Sequence, residues 1–254
     1  DSGDGMQLAG NIFSNVSAGI GDEISTFPDY PAEIRAPQGT LGGVSGFQVH
    51  IGKGVHTPGD LADVLVAMNP AALKTNACYV KKGGVVIIDS DSFRASDLEK
   101  AAFTTDDPIQ EAGLSHAQIV PVAITQMVKD SLADSGLDNK SIVRCKNMFA
   151  LGLVCWLFDR PLEQAQHLLK NKFAKKPAIY EANAKVMRDG YNYGNNIHAS
   201  VSTYRVESAQ VKPGIYTDVN GNTATAWGLI AASEKSGLPL FLGIYPITPT
   251  TDIL

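Results

Sequence analysis

Gly84-Val85-Val86-Ile87-Ile88-Asp89 decides the reading of the fold. Four consecutive apolar, β-branched residues closed by an acid predict a strand buried on both faces, because a strand with one wet face would alternate. Such a strand needs helices over both faces, which makes the first half of the chain a parallel α/β sheet. Outward from it, residues 63–68 predict a second buried strand. Residues 119–123 predict a third, placed at a sheet edge or a strand end because Pro121 lies inside it. Residues 47–51 alternate as a half-buried strand and 23–27 as a short one, while 6–18 predict a helix with Met6, Phe13 and Val16 near one face. After the third strand the pattern turns helical, with helices expected over 125–133, 142–158, 162–171 and 177–191, the last fraying through Gly190-Tyr-Asn-Tyr-Gly194. A break follows, bracketed by Lys212-Pro213-Gly214 and Asn220-Gly221-Asn222. Residues 223–236 then predict a small-residue helix stopped at Gly237, and 240–244 a buried strand entering Tyr245-Pro246-Ile247-Thr248-Pro249. Both ends read as abrupt: a glycine turn opens the chain with no strand before it, and a helix–strand unit closes it.

Composition narrows the function classes. A chain of 254 residues can bury a core without staples, and three scattered cysteines, Cys78, Cys145 and Cys155, form no C-x-x-C pair and no Cys/His ligand set. Zinc fingers and secreted disulfide scaffolds are excluded, and the reducing cytoplasm is the expected compartment. The apolar stretch 148–158 falls short of the roughly 20 residues that cross a bilayer, so no membrane partner is expected. A net charge of −5 without basic clusters argues against nucleic acid. Charged residues make up 19 % of the chain, below the usual ~25 %, which points to surface buried against other subunits.

Among the motifs, Gly3-Asp4-Gly5 ahead of a helix resembles half of a dinucleotide fingerprint, in which helix amides hold a pyrophosphate. Leu8 stands where the third glycine belongs, and Asp4 would repel phosphate, so a tight turn is the stronger reading. There is no G-x-x-x-x-G-K-[ST] and no G-x-S-x-G. The glycine-rich segment from Pro31 to Gly46 could aim several backbone amides at an anion, with Arg35 beside them and Gly39 and Thr40 in the loop; a plain exposed hairpin is the equal alternative. The Gly3–Gly5 turn and the Gly39–Gly46 loop are expected to meet at the carboxyl edge of one parallel sheet. Five histidines show no i, i+4 pairing, and no metal site is expected.

Residues 221–232 (Gly-Asn-Thr-Ala-Thr-Ala-Trp-Gly-Leu-Ile-Ala-Ala) and 243–252 (Gly-Ile-Tyr-Pro-Ile-Thr-Pro-Thr-Thr-Asp) resemble the opening of the alpha domain of 2-oxoacid:ferredoxin oxidoreductases. The segments 1–8, 35–48 and 146–152 resemble the gamma domain of the same thiamine-diphosphate enzymes, in the order where gamma is fused ahead of alpha. The resemblance implies a three-layer Rossmann-like gamma domain over 1–204, a linker over 205–220 and the start of a pyrimidine-binding α/β domain over 221–254. It implies CoA-dependent oxidative decarboxylation of a 2-oxoacid, 2-oxoglutarate foremost, with a pyruvate- or branched-chain-specific relative or a non-catalytic CoA-binding assembly module as alternatives. It further implies thiamine diphosphate with Mg2+ and a [4Fe–4S] cluster held mainly by a beta subunit, ferredoxin as electron acceptor and coenzyme A as co-substrate. Thr248 is expected to meet the substrate carboxylate, flanked by Tyr245 and Pro246. Gly3, Gly5, Arg35, Gly39 and Thr40 are the expected cofactor contacts.

Overall fold

The computed structural model describes residues 5–29, 44–197, 201, 203–245 and 250–254, less the side chain of Asp252. The chain divides into two compact units, residues 1–210 and 211–254.

In the first unit, helix α1 (Met6–Gly19) precedes a hairpin of β1 (Glu23–Asp29) and β2 (Gly46–Gly52), which pair antiparallel from Glu23↔Gly52 to Asp29↔Gly46. Strand β3 (Ala62–Ala67), helix α2 (Pro70–Asn76) and strand β4 (Val80–Asp89) follow, then helices α3 (Ala95–Lys100) and α4 (Pro108–Glu111) and strand β5 (Gln118–Val122). β3, β4 and β5 form a parallel sheet in that order, with β4 central. Alternation along β4 sorts the apolar run into two cores. Val85 and Ile87 join the cluster built with α1 and the later helices, while Val86 and Ile88 join Leu73, Leu98, Ala101 and Leu114 beneath α2 and α3. The sheet is thus the middle of three layers. β5 lies at its edge with Pro121 exposed, where the missing N–H costs no ladder bond.

The helical layer comprises α5 (Ile124–Ser131), α6 (Asn139–Arg144), α7 (Lys146–Leu157), α8 (Leu162–Lys172) and α9 (Pro177–Ile197). Two expectations are corrected here. The helix expected over 142–158 is two helices: Asp138 caps α6 through the Ser141 amide. Tight i→i+3 bonds, Cys145 to Ile142 and Met148 to Cys145, then turn the chain at Cys145. The fraying expected at Gly190–Gly194 does not occur, and α9 continues to Ile197. Those glycines are packing positions. A Cβ on Gly152 of α7 would fall 1.9 Å from the Met187 carbonyl oxygen, one on Gly190 2.1 Å from that of Phe149, and one on Gly194 2.2 Å from the Trp156 ring. The α7–α9 crossing is therefore closer than side chains allow. α7 is apolar all round and accordingly buried on nearly every face.

The second unit contains α10 (Gly221–Ser236), started by the Asn220 side chain bonding the Thr223 amide and stopped by Gly237 at φ 68°. The strand expected at 240–244 is absent: no sheet edge among the described residues pairs with it, and Phe241 is 91 % exposed. No residue of α10 is buried within the unit.

Candidate functional site

The amino-terminal turn of α1 is the corner of the first unit best equipped to hold a ligand. Gly5 occupies the left-handed region (φ 74°), and α1 begins there with no capping side chain and no acid in its first turn. The first intrahelical bond in which it takes part runs from Ala9 N–H to the Gly5 carbonyl. The amides of Met6, Gln7 and Leu8 have no acceptor among the described residues, at the positive end of a 14-residue helix. Beside it stands Asn147, in the first turn of α7. It is 1 % exposed, and neither its Nδ2 nor its Oδ1 has a partner among the described residues. Its Nδ2 lies 3.6 Å from where a Cβ on Gly5 would sit. Gln7 ties the same corner to the hairpin: its Nε2 donates to the Asp29 carbonyl (3.2 Å), Ser45 Oγ (3.0 Å) and the Gly46 carbonyl (2.7 Å). Of the expected cofactor contacts, Gly5 is in this corner, while Gly3, Arg35, Gly39 and Thr40 lie outside the described residues. Of the Gly3–Gly5 turn and the Gly39–Gly46 loop, Gly5 and residues 44–46 are among the described residues, and Gln7, two residues past Gly5, bonds Ser45 and Gly46. The expected setting, the edge of a parallel sheet, is not found: the strands flanking the loop form an antiparallel hairpin outside the three-stranded sheet.

Two further polar constellations had no signal in local sequence. At the carboxyl end of β4, the buried Asp89 accepts from the Thr125 amide (3.2 Å), Thr125 Oγ1 (2.6 Å) and Ser92 Oγ (2.8 Å), fastening the start of α5 to the central strand. Three donors already engage this buried carboxylate, which makes it a strut rather than a ligand group. Behind α7, Asp159 adopts φ 52° after the helix end and the Arg160 amide bonds back to the Cys155 carbonyl (2.7 Å). This turn drives the Arg160 guanidinium inward, where its Nη2 lies 2.7 Å from Asp22 Oδ2, both side chains buried. Burial pushes the Asp22 carboxyl up from its ordinary value, against the downward pull of Arg160. A cleft of about 240 Å³ opens beside this pair, lined by Arg205 and Ser208 among others. Tyr204 closes over Phe158 there, with ring centroids 5.1 Å apart.

Among the described residues the cysteines and histidines form no site. Burial pushes the Cys145 thiol up to about 11 and that of Cys155 to about 12, which keeps both protonated at neutral pH. Among the described residues no group of three or more His, Cys, Asp or Glu side chains could hold a metal ion. No helix among them is long and apolar enough to cross a membrane. In the second unit Tyr245 is exposed, and Pro246 and Thr248 lie outside the described residues.

Comparison with known proteins places this architecture. The 2-oxoglutarate oxidoreductase subunit KorA of Mycobacterium tuberculosis is 46 % identical over 255 residues, covering the whole of this chain and 39 % of that protein. The solved 2-oxoglutarate:ferredoxin oxidoreductase of Magnetococcus marinus, with 2-oxoglutarate, coenzyme A and succinyl-CoA bound, aligns with a TM-score of 0.68 and 25 % identity. That alignment covers 99 % of this chain and 38 % of that one. The keto/oxoacid ferredoxin oxidoreductase gamma subunit of Geobacter sulfurreducens shares the fold, with a TM-score of 0.52 and 22 % identity over 76 % of this chain and 94 % of that one. The chain thus spans well under half the length of the first two. The sequence model of pyruvate ferredoxin/flavodoxin oxidoreductase matches residues 1–193, and with it the chain belongs to that family.

Proposed function

We propose that the chain supplies the gamma domain (1–204), a linker (205–220) and the opening of the alpha domain (221–254) to a cytoplasmic 2-oxoglutarate:ferredoxin oxidoreductase, which converts 2-oxoglutarate and CoA to succinyl-CoA. The observation that carries this reading is 46 % identity to KorA along the entire chain. The ligands bound in the Magnetococcus marinus relative support both the oxoacid and the acyl acceptor. In such an enzyme thiamine diphosphate supplies the electron sink for decarboxylation, and iron–sulfur clusters pass the electrons to ferredoxin. A beta subunit would hold the Mg2+ and the [4Fe–4S] cluster.

This chain's own residues then do two things. Thr248, flanked by Tyr245 and Pro246, donates a hydrogen bond from its hydroxyl to the carboxylate of the oxoacid and orients the bond to be broken. The glycine corner, with Gly3, Gly5, Arg35, Gly39 and Thr40, receives coenzyme A. The amides of Met6, Gln7 and Leu8, which have no acceptor among the described residues, suit phosphate oxygens there, against the opposing charge of Asp4 just before the turn.

The test is to purify the native complex with its beta subunit and measure reduction of a low-potential viologen. Turnover is expected to require both 2-oxoglutarate and CoA, with kcat/KM for 2-oxoglutarate well above that for pyruvate or branched-chain oxoacids. Preference for another oxoacid, or CoA-independent turnover, would overturn the substrate assignment.

A further inference from the structure

We propose that the cleft between the end of α1, the turn after α7 and segment 204–209 binds a free α-amino acid with an aliphatic side chain. The site lies at the opposite end of α1 from Gly5, and the proposal does not depend on the oxoacid and CoA reading.

The cleft is built from three pieces of chain far apart in sequence. Segment 204–209 is pinned at both ends: the Tyr204 amide bonds the Leu157 carbonyl and the Ala209 amide the Gly21 carbonyl, each at 2.8 Å. The Tyr204 hydroxyl also donates to the Asp63 carbonyl (3.0 Å), and its ring stacks on Phe158. Residues 205–208 are thereby held against the turn at 158–160. The opening, about 240 Å³, is smaller than sites for drug-sized ligands and sets the occupant at the size of a single metabolite.

Both signs of charge and an apolar wall face this space. Arg160 lines it while only 3 % exposed, and Asp22 meets its Nη2 at 2.7 Å. A guanidinium offers five N–H donors, and Nε has no acceptor among the described residues. A buried Arg–Asp pair is costly beside an apolar pair of the same volume, so donors left unfilled next to an opening point to an acceptor that arrives from outside. Arg205 and Asp159 also line the cleft, both exposed and neither in an ion pair among the described residues. Since Asp22 already balances Arg160, a simple anion would gain from Arg205 what it loses to Asp159. A zwitterion satisfies both. Its carboxylate meets Arg205, Arg160 and the Ser208 hydroxyl, and its ammonium meets Asp159. Ile20, Phe158 and Val206 then receive an aliphatic side chain.

L-leucine is the probe, titrated by calorimetry into the native complex. Beside it run 4-methylpentanoate, which lacks the ammonium, and isopentylamine, which lacks the carboxylate. Leucine should bind with a Kd at or below about 1 mM, and each analogue at least about tenfold more weakly, as expected when a hydrogen bond to a charged group is lost. Arg205→Gln and Asp159→Asn each remove one charge, and asparagine tolerates φ 52°. Arg205→Gln should raise the leucine Kd about tenfold without weakening isopentylamine. Asp159→Asn should do so without weakening 4-methylpentanoate. A purely structural role for either side chain would move all three ligands together or none. Absence of leucine binding, an analogue that binds as tightly as leucine, or variants that leave the leucine Kd unchanged would each overturn the proposal. The ligand series on the unaltered protein keeps the test decisive should a variant fail to assemble.

Discussion

Gly190→Ala should loosen the α7–α9 seam although alanine is the better helix former. A Cβ there would sit 2.1, 2.8 and 3.1 Å from the carbonyl oxygen, carbonyl carbon and Cα of Phe149. All three are backbone atoms, so no rotamer change relieves the contact. Restoring an ordinary separation of about 3.5 Å moves the helices apart by roughly 1 Å and strips contacts along the seam, including those at Gly152 and Gly194. Overpacking costs about 1–3 kcal/mol, and a clash against backbone belongs at or above the upper end. Helix propensity returns about 1 kcal/mol. The net is a loss of about 2 kcal/mol, which lowers the thermal midpoint of a chain this size by about 4–8 °C. The control is Gly228→Ala in α10, where a Cβ meets nothing within 4 Å and the same exchange should stabilise the helix by about 0.5–1 kcal/mol. Circular dichroism melting gives the midpoint, and hydrogen exchange resolved by segment assigns the change to α7 and α9 or to α10. A Gly190→Ala protein that melts no lower and protects α7 and α9 no less would refute the close crossing.

Arg160→Met strands the buried Asp22 carboxylate and should cost about 3–5 kcal/mol at neutral pH. Burial already raises the Asp22 pKa, so the native state holds this proton more tightly than the unfolded chain. The stability Asp22 contributes is complete below the unfolded carboxylate value and is lost as pH rises through the folded one. The variant should therefore regain part of its stability on acidification in urea titrations, and a deficit independent of pH would count against the pairing. Iodoacetamide at pH 8 should label the native chain at Cys78 and spare Cys145 and Cys155, whose thiols stand near 11 and 12, and mass spectrometry of native and denatured samples reads this directly. Thr248→Val in the intact complex should lower kcat/KM by about tenfold to a hundredfold without shifting the midpoint, as expected for a lost hydrogen bond to a charged group. A lowered midpoint with untouched kinetics would make Thr248 a helix cap instead.

The parts of the fold that sequence periodicity reports are those whose burial is local in origin. The apolar run of β4 and the isolated Pro121 of β5 each specify their own environment, and both lie where that environment requires. Short helices carried weaker signals: Asn69-Pro70 and Asp107-Pro108 are ordinary helix starts, each with its side-chain cap formed, yet α2 and α4 have too few residues to show a period. Glycine misleads in α9 because the property that disfavours it in an isolated helix also lets another helix approach. Nothing along 177–197 reveals that α7 lies against it. Residues 240–244 mislead in the opposite way, since an apolar run becomes a strand only where an edge is available. Of the candidate site, Gly5 was legible as a turn. Asn147 was visible only as one letter of a resembling segment, because a buried unpaired amide is a property of the assembled helices. Asp22 and Arg160 lie far apart in sequence, and their pairing depends on the turn at Asp159.

The single amide group of Gln7 bears on how proteins of this architecture can change. It holds Asp29 and Gly46, the last paired residues of the hairpin, so residues 30–45 leave and return through a base that is already closed. Lengthening a chain between fixed ends is cheap, about 0.6 kcal/mol for each doubling of length. Insertions, deletions and wholesale exchange of composition between those ends therefore leave the pairing of β1 with β2 nearly undisturbed. The segment can be exchanged for a different ligand or neighbour while the scaffold beneath it stays the same, which makes Gln7 the boundary between what the fold requires and what a binding site can redefine.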